Sequence, residues 1–135
     1  MALFEWTQEH SVSVLRFDAD HKKLFSLVND LNDAMAEGRG RYVVTRVLQD
    51  LAGYAQRHFA AEEAAMRRAN FAGIEEHIAE HRDLTEKVEK YYDEYSATSD
   101  GIPIDVLFFL RDWLQHHILD TDRKYVTALN QAGIC

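Results

Sequence analysis

Proline occurs once and glycine six times in 135 residues, too few turn formers for a sandwich or barrel, whose many short strands need frequent reversals. The expected class is all-α. Cysteine occurs once, at Cys135, so no internal disulfide can form, and that position does not suit a prenylation box. No apolar run reaches the length of a membrane span, and the opening Met1-Ala-Leu-Phe-Glu-Trp6 lacks the basic end and apolar core of a secretory leader. The expectation is a cytoplasmic protein without membrane insertion. Basic residues are also scarce, 15 Lys and Arg against 23 Asp and Glu, for a formal net charge of −8; nucleic acid is therefore not an expected partner. What the chain does have, 47% hydrophobic and 28% charged residues, suits one soluble domain over 1–135 with a buried core.

The few breakers divide the chain cleanly. An arm to about residue 17 precedes helical segments over roughly 18–37, 41–69, 73–97 and 103–130, separated at Gly38-Arg39-Gly40, at Asn70 to Gly73 and at Ser99-Asp100-Gly101-Ile102-Pro103. Pro103 suits a first helical turn, and Asp18 or Asp20 could cap the first segment. Each segment carries an apolar stripe at three-and-four spacing: Phe17, His21, Leu24, Val28, Leu31, Met35; then Val44, Leu48, Leu51, Ala55, His58, Glu62, Ala65. The third reads Ile74, His77, His81, Leu84, Val88, Tyr91, Tyr95, and the fourth Leu107, Leu110, Leu114, His117, Thr121, Tyr125, Ala128. Four such helices with short connections predict an up-down-up-down four-helix bundle.

Histidines fall on all four inward stripes. One buried imidazole is usually satisfied by a neighbour, but five together, with no cation among them, would leave costly unpaired nitrogens. His77 and His81 are four apart, so both point to one place and can grip one ion, and His58 with Glu62 repeats that geometry. An exposed His/Glu pair would be an ordinary helical ion pair; on the core stripe it is expensive without a metal. In the last segment His116 and His117 compete for the inward position. Periodicity favours His117, in line with Leu114 and Thr121, and leaves His116 with Asp112, Asp120 and Arg123 on a solvated face. The accompanying carboxylate stays open between Asp120 and Asp122, since Asp122 lies five residues from His117, off a regular helical face. His10 has no partner at useful spacing and reads as a surface residue of the arm. Glu75, Glu76 and Glu80 read as solvated helix faces; Glu63 reads the same way, or as support behind a ligand.

With these residues in place the chain resembles the hemerythrin family, and in particular its single-domain bacterial branch, over nearly the full length. The motifs are His21, then His58-Phe-Ala-Ala-Glu62, then His77-Ile-Ala-Glu-His81, then His117-Ile-Leu-Asp-Thr-Asp122. Trp6 in the arm, Asp18 before His21, Glu63 after Glu62 and Trp113-Leu114 before His117 also match. The resemblance selects Asp122 over Asp120, which implies a local widening of the helix, such as a π-turn, between residues 117 and 122.

The resemblance implies two non-heme iron ions (Fe2+/Fe3+) with an oxo or hydroxo bridge. One iron takes His77, His81 and His117, the other His21 and His58, with Glu62 and Asp122 between them and one position open on the second iron. It implies reversible dioxygen binding rather than enzymatic turnover, for storage, transport or delivery to an oxygen-consuming enzyme. A ligand set rich in histidine and poor in carboxylate fits that expectation, because hard anionic oxygens favour higher iron oxidation states. Leu24, Phe59, Leu114 and Ile118 match positions lining the oxygen pocket, with Trp113 and Tyr125 supporting the ligands; every one of these is also an ordinary core residue. The alternatives are oxygen or redox sensing through a partner, and a diiron enzyme handling peroxide or nitric oxide.

Overall fold

A computed structural model describes residues 3–96 and 101–135; the Ser99-Asp100 break and the end of the third predicted segment lie outside them. Four helices, α1 (Leu15–Ala36), α2 (Arg41–Arg68), α3 (Ile74–Tyr95) and α4 (Ile104–His116), form an up-down-up-down bundle, and a short α5 (Val126–Gln131) closes the chain. The all-α expectation holds: the described residues contain no strand, and no helix among them is long and apolar enough to cross a membrane.

The helix ends follow from backbone chemistry. After α1, Gly38 takes φ +62° and the Arg39 N–H reaches back to the Ala34 carbonyl. After α2, Asn70 takes φ +53° and the Phe71 N–H bonds the Met66 carbonyl. Both are six-residue closures that satisfy otherwise orphaned carbonyls, built on residue types that tolerate left-handed backbone.

At its start, α1 departs from expectation. It begins at Leu15 with Val14 as the residue before it, and neither Asp18 nor Asp20 caps it. Asp18 instead ties down the arm, accepting from the Ser11 hydroxyl at 2.6 Å and the Val12 N–H at 2.8 Å. The arm is anchored elsewhere too. Phe4 stacks on Phe25 at 3.7 Å, and its backbone exchanges two hydrogen bonds with the Asn29 side chain. His10 corrects the surface reading: it is buried. Its Nδ1 accepts from the Thr7 N–H, and its Nε2 lies 2.9 Å from Gln115 Oε1 on α4. An arm without periodicity gave no sign that His10 would find its partner 105 residues away.

The stripes place a polar layer between two apolar clusters. In α1 the sequence runs from Phe17 through His21 to Leu24, Val28 and Leu31; in α2 it runs from Leu48, Leu51 and Ala55 through His58 and Glu62 to Ala65 and Met66. The larger cluster also holds Leu84, Val88, Leu107, Leu110, Leu114 and Ile118, and the smaller one Val12, Val14, Tyr125 and Leu129. All five inward histidines, Glu62 and Asp122 lie in the layer between and are almost fully buried.

Candidate metal centre

The last expected segment is not one regular helix. After His116 the backbone widens into a π-turn over His117–Thr121, then tightens into a 3-10 turn over Asp122–Tyr125. The Asp122 N–H bonds the His117 carbonyl, five residues back, and that wider turn brings residues five apart onto one face. Asp122 is thereby turned inward and fully buried, while Asp120 pairs with exposed His116 at 2.8 Å on the surface.

Seven side chains converge. Asp122 Oδ1 lies 2.9 Å from His77 Nε2 and 3.0 Å from His117 Nε2, while Oδ2 is 3.2 Å from His21 Nε2. Glu62 Oε1 is 3.3 Å from both His58 Nε2 and His81 Nε2, and Oε2 is 3.6 Å from His21 Nε2. His81 and His117 bring their Nε2 atoms within 3.2 Å. Each carboxylate thus spans two groups, one with His77, His81 and His117, the other with His21 and His58. Grouped by donor atoms, Glu62, His77, His81, His117 and Asp122 form one potential cation site and His21, His58 and Glu62 a second, sharing Glu62.

The donor set fits metal ions. Nine buried side-chain N or O atoms among the described residues have no hydrogen-bond partner, and eight belong to this cluster: both nitrogens of His21 and His77, His58 Nε2, Glu62 Oε1 and both oxygens of Asp122. Each such atom costs about 1–3 kcal/mol when left unpaired, so a cluster of this size calls for a shared cation. The spacing agrees, since two ligands about 2.1 Å from one ion and at right angles stand about 3.0 Å apart.

Behind the donors, three carboxylates set the orientation of three rings. His58 Nδ1 lies 2.8 Å from Asp20 Oδ2, His81 Nδ1 2.8 Å from Glu63 Oε2, and His117 Nδ1 3.1 Å from Glu80 Oε1. An Nδ1–H donated outward leaves the Nε2 lone pair facing inward, as a metal ligand requires. Glu80 also accepts from the Thr121 hydroxyl, so the solvated-face reading of Glu80 is corrected. Each of these carboxylates neighbours an inward residue in sequence: Asp20 precedes His21, Glu63 follows Glu62, Glu80 precedes His81. One residue is about 100° around a helix, so each points sideways and meets a histidine of the next helix in chain order. That adjacency is the signal that could have identified Asp20 and Glu80.

Aromatic rings brace the three-histidine group. Phe59 lies flat on His81 at 3.9 Å, Trp113 on His117 at 4.4 Å, and Tyr125 beside His77 at 5.5 Å. Tyr125 also donates its hydroxyl to Glu62 Oε2 at 2.5 Å. Leu24, Leu114 and Ile118 are buried in the larger apolar cluster with Phe59.

In the chain without metal, the charges are strongly interdependent. Burial disfavours the protonated form of His21, yet the carboxylates of Asp122 and Glu62 facing its Nε2 hold its pKa at about 9. His58 is likewise raised to about 9 against burial by Glu62 and Asp20, and His117 to about 10 by Asp122 and Glu80. The carboxylates respond in the opposite sense. Burial resists ionisation of Glu62, but the charge of His58 and the other imidazoles facing it hold its pKa well down, and the His117 hydrogen bond holds Glu80 at about 2. Protons occupy this cluster at neutral pH, and a cation must displace them.

Comparison with known proteins agrees with this geometry. The profile of the hemerythrin HHE cation binding domain matches residues 13–129. A bacteriohemerythrin of Methylococcus capsulatus is 34% identical over 131 residues, covering 96% of this chain and 99% of that protein. A myohemerythrin of Theromyzon tessulatum is 25% identical over 122 residues, covering 90% of each. A wild-type hemerythrin crystal structure superposes with a TM-score of 0.89 at 33% identity, covering 95% of this chain and 98% of the other. With its bundle, its buried histidine and carboxylate cluster and these relatives, the chain belongs to the hemerythrin family.

Proposed function

We propose that this protein binds dioxygen reversibly at a pair of iron ions, with His77, His81 and His117 on one, His21 and His58 on the other, and Glu62 and Asp122 shared. The observation that carries this reading is the three-against-two division of the histidines around two spanning carboxylates. Unequal halves leave one ion with fewer protein ligands, the arrangement needed to admit a small molecule at a single position. Two ferrous ions held there would supply one electron each to dioxygen and recover them on its release.

The protein's own part is to position and to exclude. Asp20, Glu63 and Glu80 hold three imidazoles with their Nε2 atoms inward, while Phe59, Trp113 and Tyr125 keep three rings in plane. The Tyr125 hydroxyl, donated to Glu62, stabilises the ionised carboxylate and keeps a proton on the phenol, whose pKa burial and the charges of Glu62 and Asp122 raise well above the ordinary value. Leu24, Phe59, Leu114 and Ile118, each at most 4% exposed, form the apolar wall of the oxygen pocket. Keeping water from the bound gas suppresses irreversible oxidation of the metal. This favours a carrier over an enzyme, with storage, transport or delivery to an oxygen-consuming enzyme as its role.

The test is to load the protein with ferrous iron without air, admit oxygen and withdraw it, following the visible spectrum. A charge-transfer band that appears and disappears over repeated cycles is expected; immediate irreversible oxidation would overturn the carrier reading. Leu114→Ala, which removes packing usually worth about 2–5 kcal/mol, should also let water in and reduce the number of cycles that remain reversible. If the variant cycles as long as the wild type, Leu114 serves packing alone.

A further inference from the structure

Of the three carboxylates behind the histidines, Asp20 is the one gripped by a tyrosine. Its Oδ2 faces His58 Nδ1 at 2.8 Å and its Oδ1 accepts from the Tyr54 hydroxyl at 3.0 Å. Tyr54 and His58 are one turn apart on α2, so their side chains close on the Asp20 carboxylate of α1 from the same helical face. Among the described residues Glu63 has no equivalent hold: beyond His81 it meets Arg67 at 4.0 Å, and that side chain is mostly exposed. Glu80 is braced by Thr121, which belongs to the π-turn of the three-histidine half.

Asp20 also precedes His21 in the chain. It therefore links both histidines of the two-histidine half, His58 through a hydrogen bond and His21 through the backbone. With only two imidazoles and the shared carboxylates, that half depends more on the orientation of each ring than its neighbour does. Tyr54 holds the carboxylate against which the His58 ring is oriented. Its hydroxyl touches neither the donors nor any residue of the three-histidine half among its hydrogen bonds.

We propose that Tyr54, acting through Asp20, is a positioning residue that sets the affinity of the two-histidine half for its cation without setting that of the three-histidine half. This inference rests on the metal-pair reading above. It makes the two halves separately adjustable, with the handle on a half-buried tyrosine of α2 rather than on a ligand.

The experiment titrates the full-length metal-free protein with ferrous ion, without air, by calorimetry. Removing a partner behind a metal-bound histidine usually costs 10–100-fold in affinity. Tyr54→Phe should accordingly weaken one binding step about tenfold and leave the other within twofold, and Asp20→Asn should weaken the same step further. Equal weakening of both steps, or none, would overturn the proposal. Wild-type protein taking up fewer than two ions per chain would instead overturn the metal-pair reading, and the affinity claim with it. A second readout needs no metal: in Tyr54→Phe the His58 Nδ1–H should exchange with solvent faster by NMR, while those of His81 and His117 keep their wild-type rates. Unchanged exchange at His58 would show that Tyr54 does not position the ring.

Discussion

Loading the metal-free protein with two ferrous ions is expected to raise its melting temperature by roughly 20 °C. A ligand that binds only the folded state at about a thousand times its Kd contributes about 4 kcal/mol, and a chain of this size gains about 3 °C per kcal/mol. Two ions so bound give an effect of that order. Its origin is local: six of the eight unpartnered buried atoms, the Nε2 atoms of His21, His58 and His77, Glu62 Oε1 and both oxygens of Asp122, acquire a partner, in a layer built from α1, α2, α3 and the turns that follow α4. Thermal melts by circular dichroism with and without ferrous iron, under nitrogen, decide it. Melting of the two forms within about 3 °C, less than 1 kcal/mol on that scale, would show that the metal is peripheral to the core.

Metal uptake should be strongly pH-dependent, and the direction can be worked out. His21 and His58 at about 9 and His117 at about 10 are all raised above the ordinary 6.5. Such groups contribute stability that is fully present below about 6.5 and lost as pH rises through their folded values. The metal-free chain therefore weakens between about pH 7 and pH 10. A metal requires the same three rings deprotonated, so its binding releases about three protons near neutrality. The combined affinity for two ions should then climb by roughly a thousandfold per pH unit around pH 7. Calorimetry in buffers of different ionisation enthalpy counts the protons directly. Release of fewer than one proton per chain would refute the strong coupling of these histidines to Glu62 and Asp122. At alkaline pH the loaded and metal-free proteins should diverge most in stability, since one gains where the other loses.

Periodicity was a reliable guide where the backbone is regular. His21, His58, Glu62, His77, His81 and His117 each lie on a stripe of residues three and four apart, and the structure brings all six together. Asp122 could not be found that way. Its inward position depends on a hydrogen bond spanning five residues, which no pattern of three and four encodes; the family motif located it instead. The supporting carboxylates were obscured for a different reason. Asp20 and Glu80 sit at positions that are polar and partly exposed, and from one helix alone they are indistinguishable from solvated residues. Only the neighbouring helix reveals that each faces a histidine. His10 shows the same limit in the arm, where there is no helical face against which to judge it.

The polar layer has a consequence for how the helices find their alignment. Leucine and valine are nearly interchangeable at one-turn spacing, so a helix displaced by about 5.4 Å along its neighbours would still set apolar against apolar over much of each stripe. Leu24, Val28 and Leu31 would find other aliphatic partners among Leu48, Leu51 and Leu107. His58 and Glu62 would not, because the same slip would strand an imidazole and a carboxylate among leucines, at several kcal/mol for a broken buried pair. The buried charges thus act as a vernier on an otherwise smooth scale: grease lets the four rods slide, and one stratum of mutually dependent polar groups leaves a single mark at which they line up.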